Sequence, residues 1–505
     1  MPTDPSSGRA PSAFADGFKA AIARHIEEIT ELYLADEIPW IIGYSGGKDS
    51  TATLQIVWLA LSALPPERRH KAVHVISTDT LVENPVVAAW VSRSLRMIDE
   101  SAAAAGLPIK AHRLTPEPTN TFWVNLIGRG YPAPRPKFRW CTERLKIDPS
   151  NRFIGEMTRT NGESIVVLGM RKAESGARSK VMEKLEGQRL RDGLSPNASL
   201  SNSYVYTPIE TWTNDDVWLF LMQVSNPWGF DNRDLLTMYQ GASADGECPL
   251  VIDASTPSCG DSRFGCWVCT LVDKDKSMQA MIQNDHEKEW MTPLLALRDE
   301  LDVRSEETGK RDDRHLRDFR RMNGSVQLHN DRLVHGPYTQ DARAMWLRRV
   351  LDAQTHIRLH GPAEMSDMEL ITPEELHEIR RLWVFEKHET EDLLPGIYVA
   401  ATGRDYPGPP IADDLATAAE DTLLLREIAG DDMLFALTRE LLDVERRHRT
   451  MTRRAGLFRR LENSLRRGTF TSAEEATEAA LERRAAFAGD QTDPSPELPL
   501  LEADA

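Results

Sequence analysis

The sequence predicts an α/β protein built on a parallel sheet, followed by a mainly α-helical region. Three observations carry that prediction. Short apolar runs alternate with helix-period segments through the first part of the chain. A glycine-rich turn joins the first of these runs directly to a helix. Past residue 277 strand signals nearly vanish and long charged helical patterns take over.

The elements follow in order. Residues 1–12 lack an apolar signal core, begin Pro/Ser/Gly-rich, and are predicted disordered. Residues 18–34 place Ala21, Ile22, Ile26, Ile29 and Leu32 at helical spacing. The apolar run 38–42 is the first strand. It leads into Ser45-Gly46-Gly47-Lys48-Asp49-Ser50-Thr51, and a helix-compatible segment, 52–63, begins at once. Further strands are predicted at 72–77, 109–114, 164–168 and 204–207, with a helix at 85–104. Ligands of such sheets sit beyond the strand carboxyl ends, where both the glycine turn and Thr78-Asp79-Thr80 fall. Thr213, followed by Asp215 and Asp216, reads as a helix N-cap with acids in the first turn. Residues 248–269 are Gly/Pro/Ser-rich and aperiodic, a loop held by something other than a core. Helical patterns then cover 339–353, 414–427 and 431–445, with breakers at 361–362 and 403–410. Residues 489–505 are Pro- and acid-rich and predicted disordered. The expected domains are 13–290 and 291–488.

Bulk properties narrow the function. A chain of 505 residues can bury a large core in two or three domains. Its net charge of −17 excludes a generic polyanion binder, so any nucleic-acid contact must use local basic patches. No apolar run is long enough to span a bilayer, and the expected location is the cytoplasm with no membrane partner. Of five cysteines, four crowd between Cys248 and Cys269, which in a reducing compartment points to a metal or to catalysis rather than disulfides.

The glycine turn is built for an anion. Gly46 and Gly47 allow close backbone approach, the following helix offers free N–H groups and its positive dipole end, and Lys48, Ser45 and Ser50 add a charge and hydroxyl donors. It is not a Walker A loop, because Gly43 lies one position too close to Gly47 and Asp49 follows the lysine. Gly169-Met-Arg171-Lys172-Ala-Glu174-Ser175-Gly-Ala-Arg178, after the fourth strand, reads as a phosphate clamp, since arginine binds phosphate oxygens bidentately.

Ser-Gly-Gly-Lys-Asp-Ser resembles the pyrophosphate loop of the ATP pyrophosphatases. The Asp79-Thr80 segment, residues 169–178, and the Pro-Ile…Trp…Asp-Val-Trp pattern of residues 208–218 resemble the phosphoadenosine phosphosulfate reductases of the same superfamily. Cys141, in Phe-Arg-Trp-Cys-Thr-Glu-Arg-Leu-Lys, resembles their iron–sulfur Cys-Cys segment with Trp140 in place of the first cysteine. Cys266-Trp-Val-Cys269 supplies the second half, a spacing that lets two thiolates reach one metal from a single turn. With residues 253–269, the set resembles the DndC family of DNA phosphorothioation sulfurtransferases, over roughly residues 38–290.

The resemblance implies an adenine-nucleotide α-hydrolase fold with an iron–sulfur-bearing loop. It also implies cleavage of ATP to AMP and pyrophosphate with Mg²⁺, and replacement of a non-bridging oxygen of DNA phosphate by sulfur. Lys48, Asp49, Arg171 and Arg178 are then the catalytic candidates. Ser45, Gly46, Gly47, Lys48, Asp49, Ser50, Thr51, Asp79, Thr80, Gly169 and Arg171 bind nucleotide, with Asp49 or Asp79 serving the metal. A [4Fe–4S] cluster is held either by Cys141, Cys259, Cys266 and Cys269, or by the local four, Cys248 to Cys269, leaving Cys141 free; spacing alone does not separate zinc from iron–sulfur. Implied partners are a cysteine desulfurase as sulfur donor, companion ATPase and DNA-binding phosphorothioation proteins, and DNA itself. Two other readings are a sulfonucleotide reductase, opposed by the absence of a cysteine in residues 485–505, and a non-catalytic nucleotide-sensing subunit, opposed by the intact Lys48 and Asp49.

Two basic clusters lie in the helical half. One spans residues 314–321. The other, residues 446–460, carries no acid and extends to Arg466 and Arg467; it is either a polyanion surface or a solvated helix face.

Overall fold

The structure is a computed structural model. It describes residues 11–174, 176–189, 191, 193–242, 264–389, 391–409, 428, 432–449, 454, 456–467, 470 and 472–490. The chain forms two compact units. The first comprises Met1–Phe122, Pro134–Asp302 and His356–Leu370; the second comprises Trp123–Ala133, Val303–Thr355 and Ile371–Ala505.

The first unit is the α/β part. Helix α1 (Phe18–Leu34) precedes strand β1 (Trp40–Gly43), and helix α2 (Lys48–Ala63) leaves β1 through the glycine turn. Strand β2 (Val73–Thr78), helix α3 (Pro85–Ala104) and strand β3 (Ile109–Leu114) follow. Then come helix α4 (Asp148–Asn161), strand β4 (Ser164–Val167), helix α5 (Gly176–Glu186), the two-residue strand β5 (Ser195–Pro196), strand β6 (Ser203–Tyr206), and helices α6 (Asn214–Gln223) and α7 (Asn232–Gly241). The sheet order is β3-β2-β1-β4-β6-β5. All pairings are parallel except β5 with β6. The predicted strands are present within a residue or two, and β5, too short to carry a periodic signal, was not anticipated. Strand order reverses at β1, flanked by β2 and β4, so the crevice beyond the carboxyl ends of β1 and β4 is the switch point where such sheets bind ligands.

Local chemistry explains the helix starts. Asn84 caps α3 by accepting from Val86 N–H, with Pro85 at the first helical position. Thr213 and Asp216 form a reciprocal capping box on α6. Asp216 also accepts from the Ser12 hydroxyl and Ala13 N–H, so Ser12 is tied to the fold although the sequence reading placed it in a disordered arm. Helix α2 is buried nearly all round, and its buried Gln55 donates to the carbonyls of Val224 and Ser225 and accepts from Asn232. That polar contact fixes α2 against the turn between α6 and α7 without leaving an unsatisfied amide in the core.

The first unit runs to Asp302 rather than to residue 290. Helix Thr292–Leu301 belongs to it because Leu294, Leu297 and Leu301 are buried and the buried Arg298 guanidinium donates to the carbonyls of Cys269, Val272 and Asp273. The second unit, as predicted, is mainly helical, with a two-stranded ribbon, Leu328–His329 with Arg332–Leu333, as its named sheet among the described residues. Its helix Asp432–Arg449 overlaps the predicted 431–445, whereas the predicted helix at 414–427 lies outside the described residues. Among the described residues no helix is long and apolar enough to cross a membrane.

Candidate active site

The loop between β1 and α2 is closed by its own side chains. The Ser50 hydroxyl donates to Gly47 C=O at 3.0 Å and accepts from Ser45 N–H at 3.2 Å, with the Ser45 hydroxyl also at 3.2 Å. Gly46 has φ +73°, and a β-carbon there would lie 2.6 Å from Val91 Cγ2, so only glycine makes this turn. Trp90 Nε1 donates to Gly46 C=O at 3.2 Å. Helix α2 begins at Lys48, four residues earlier than periodicity indicated, because Lys48, Asp49, Ser50 and Thr51 form its first turn at the carboxyl end of the sheet. Ser50 and Thr51 are buried.

The clamp segment after β4 reaches this turn. A β-carbon on Gly169 would lie 2.8 Å from Asp49 C=O and 2.9 Å from Thr53 Oγ1, so glycine permits the close pass. Arg171 is 4% exposed; its Nε donates to Asp49 Oδ1 at 2.7 Å and one terminal nitrogen to Trp212 C=O at 3.3 Å. Lys48 Nζ stands 3.4 Å from Asp49 Oδ2. Arg171 therefore braces the loop through Asp49. The Arg178 side chain lies outside the described residues.

Asp79 is turned to a different task. One carboxylate oxygen accepts from the N–H of Leu81, itself at φ +65°, at 2.8 Å, and the other is paired with Arg113. Thr80 is fully buried; its hydroxyl donates to Glu83 Oε1 at 3.0 Å and lies 3.3 Å from Cys266 Sγ.

That contact brings the cysteine segment to the carboxyl end of the sheet, where the glycine turn also lies. Glu83 and Cys266 form an antiparallel bridge, Trp267 N–H donates to Val82 C=O at 2.9 Å, and Asn84 N–H donates to Gly265 C=O at 3.3 Å. The Cys269 N–H to Cys266 C=O bond, 3.0 Å, places both thiols on one turn. Trp267 and Val268 are buried, so this end of the segment is anchored in the core, contrary to the expectation of a loop without one. Cys141, Cys266 and Cys269 are free thiols. Burial pushes the Cys266 thiol up to about 12, with the Glu83 carboxylate adding to the effect. Burial also raises Cys141, and the nearby Cys269 adds to that. Burial works against the Lys146 ammonium, but Cys266, Glu83 and Cys269 outweigh it and hold its pKa above the ordinary range. Lys146 Nζ is 3.3 Å from Glu83. Cys248 and Cys259 lie outside the described residues, among which no group of three or more His, Cys, Asp or Glu is arranged to hold a metal ion.

Sequence reasoning missed Glu83, Lys146 as a charge partner, Trp90, and above all Tyr239. The Tyr239 hydroxyl accepts from Lys48 N–H at 3.3 Å, and Lys48 Nζ lies 5.3 Å from the ring centroid. Nothing local marks a tyrosine 191 residues downstream as a neighbour of the loop.

Residues 39–228 match the phosphoadenosine phosphosulfate reductase domain. This domain belongs to the ATP pyrophosphatase/phosphoadenosine phosphosulfate reductase superfamily. An uncharacterized protein of Methanocaldococcus jannaschii is 28% identical over 199 residues, 38% of this chain and 34% of that one; the chain thus spans about a third of that curated relative. Two structures of FMN adenylyltransferase from Candida glabrata are also similar. One is of a mutant (TM-score 0.24); the other is a complex with FAD and inorganic pyrophosphate (TM-score 0.23). Each is 14% identical over 43% of this chain, covering 59% and 61% of their own lengths.

In the second unit, the basic cluster 314–321 is consumed internally. Arg314 pairs with Asp312, Arg320 with Asp318, and Arg317 and Arg321 donate to the carbonyls of His335 and Gly336, stapling two loops together. In the other cluster Arg446 pairs with Asp443 and Arg449 with Glu445, while Arg454, Arg459 and Arg460 are exposed; the side chains of Arg447, Arg453, Arg466 and Arg467 lie outside the described residues.

Proposed function

We propose that this chain is an ATP pyrophosphatase that activates a DNA phosphate for replacement of a non-bridging oxygen by sulfur. The observation that carries the reading is the meeting of the two chemistries. The anion loop and the Cys266–Cys269 turn lie at the same end of one sheet, joined through Thr80 and Glu83. A nucleotide-binding domain of this superfamily with thiols at the mouth of its site suits sulfur transfer better than nucleotide sensing.

A DNA phosphate oxygen would attack the α-phosphorus of ATP, expelling pyrophosphate. Lys48, the Ser45 hydroxyl and the first-turn amides of α2 would stabilise the charge that develops on the leaving group, with the Ser50 hydroxyl closing the loop through Gly47 C=O. Arg171 keeps Asp49, and with it Lys48, in place. A persulfide delivered by a cysteine desulfurase would then attack the DNA phosphorus through its terminal sulfur, and AMP departs with the displaced oxygen. A thiol reductant would cleave the S–S bond so formed, releasing the carrier thiol and leaving one sulfur on DNA. Magnesium would be served from Asp49 or Asp79, each of which holds cationic partners here: Arg171 and Lys48 at Asp49, Arg113 at Asp79. Cys266 and Cys269, half-buried on one turn, and Cys141 are the thiols to which the resemblance assigns a [4Fe–4S] cluster together with Cys259; among the described residues the three are not gathered to hold a metal ion, and no step of the reaction is routed through the cluster. Bound there, the cluster would supply a soft, redox-capable centre beside the nucleotide. Companion ATPase and DNA-binding proteins would present the DNA.

The test is product analysis with labelled ATP and Mg²⁺, with and without DNA. AMP and pyrophosphate are expected, and Lys48→Ala should abolish them. ADP and phosphate as the main products, or full activity in the lysine variant, would refute the assignment.

A further inference from the structure

Tyr239 touches the phosphate loop at the point where an anion must bind. Its oxygen lies 3.3 Å from the Lys48 nitrogen and 3.1 Å from where a Gly47 β-carbon would stand. Lys48 N–H is the first amide of α2, one of the donors that a helix start offers to an anion. Burial pushes the phenol far up its titration range, so it is a neutral hydroxyl at physiological pH. A backbone N–H carries one proton, and the hydroxyl oxygen takes it. The ring meanwhile holds the Lys48 ammonium over its face.

The same ring is seated by the cysteine-bearing segment. Phe264 packs edge-on against Tyr239 with centroids 4.7 Å apart, and Trp218 does so from another side at 5.3 Å. Two residues beyond Phe264, Cys266 enters its bridge with Glu83. Loop, phenol, Phe264 and the thiol turn therefore form one contiguous chain of contacts.

Resting on the ATP pyrophosphatase reading above, we propose that Tyr239 is a latch on the phosphate loop. Its hydroxyl caps the Lys48 amide, and a phosphate oxygen of an entering nucleotide displaces it, which links nucleotide entry to the cysteine segment through Phe264. The latch competes with ligand, so releasing it strengthens phosphate binding. A residue that merely supported the loop would do the opposite when altered.

Calorimetric titration of the full chain with inorganic pyrophosphate and Mg²⁺ tests this. Tyr239→Phe removes one oxygen and keeps the ring packing; it should lower Kd by about three- to tenfold, the worth of one neutral hydrogen bond no longer competing. Phe264→Leu, which loosens the seat of the phenol, should also lower Kd. Unchanged or weaker binding by Tyr239→Phe overturns the latch and leaves the pyrophosphatase reading standing. Absence of pyrophosphate binding by the wild-type chain overturns both. If Tyr239→Phe does not fold, Phe264→Leu decides alone: tighter binding supports the latch, and unchanged or weaker binding overturns it.

Discussion

Replacing Arg171 with methionine keeps the aliphatic stem and removes a buried charge. In the native chain that charge satisfies Asp49 at 2.7 Å and the Trp212 carbonyl at 3.3 Å. Breaking a buried pair by removing one partner costs about 3–5 kcal/mol, because the other charge is left uncompensated. Here Asp49 is 23% exposed and keeps Lys48 at 3.4 Å, which moves the cost to about 2 kcal/mol. The orphaned carbonyl adds about 1 kcal/mol. The sum, about 3 kcal/mol, falls on the first turn of α2, so amide exchange at residues 48–51 should accelerate by roughly a hundredfold where local opening controls exchange. A double-mutant cycle with Asp49→Asn should be strongly non-additive, since the second change removes the charge that the first left unpaired. ATP cleavage should be lost in Arg171→Met. An additive cycle with unchanged exchange at residues 48–51, accompanied by a raised KM for ATP, would refute the bracing role and make Arg171 a direct phosphate ligand.

Further outcomes are expected elsewhere. Anaerobically purified protein should be brown, and Cys266→Ser or Cys269→Ser should bleach it; Cys141→Ser should weaken or bleach the colour and Cys248→Ser should matter less. Full iron in Cys141→Ser with loss in Cys248→Ser would favour the local four-cysteine set, and stoichiometric zinc without iron would exclude the cluster. His74 Nδ1 and His112 Nε2 lie 3.0 Å apart beside Phe153. Burial lowers both below the ordinary 6.5, the second histidine adding to the effect at His74 and Lys110 at His112. Protons therefore prefer the unfolded chain: the pair's contribution is complete above the unfolded value and is lost as pH falls through and below about 6.5. Thermal midpoints should drop across that window, and His74→Leu with His112→Leu should flatten the drop; an unaltered slope would count against the pair. Arg454→Glu with Arg459→Glu, at exposed positions of the acid-free cluster, should weaken salt-sensitive binding to DNA or to a DNA-bound partner while ATP cleavage survives. Wild-type levels of phosphorothioate in cells carrying that variant would mark the cluster as a solvated helix face.

What the sequence determined by itself is what neighbouring residues decide among themselves. Apolar periodicity placed α1, β1, α3 and β3 almost to the residue, because strand and helix periods are local properties. Turn chemistry located the glycine turn between β1 and α2, since only glycine suits the Gly46 conformation and a helix start follows it, and Thr213 marked its own capping box. The basic run 314–321 shows the limit. Its composition marked a basic cluster and nothing more, yet Arg317 and Arg321 reach carbonyls at His335 and Gly336 that no local pattern announces. Strand order, the pairing of Asp79 with Arg113, the Arg171–Asp49 brace, the bridge of Glu83 to Cys266 and the seat of Tyr239 on Lys48 all belong to the tertiary structure. Each joins segments separated by tens to hundreds of residues. Their partners are selected by which side chains the folded sheet brings within hydrogen-bond range, a constraint that acts in space and leaves no periodic trace along the chain.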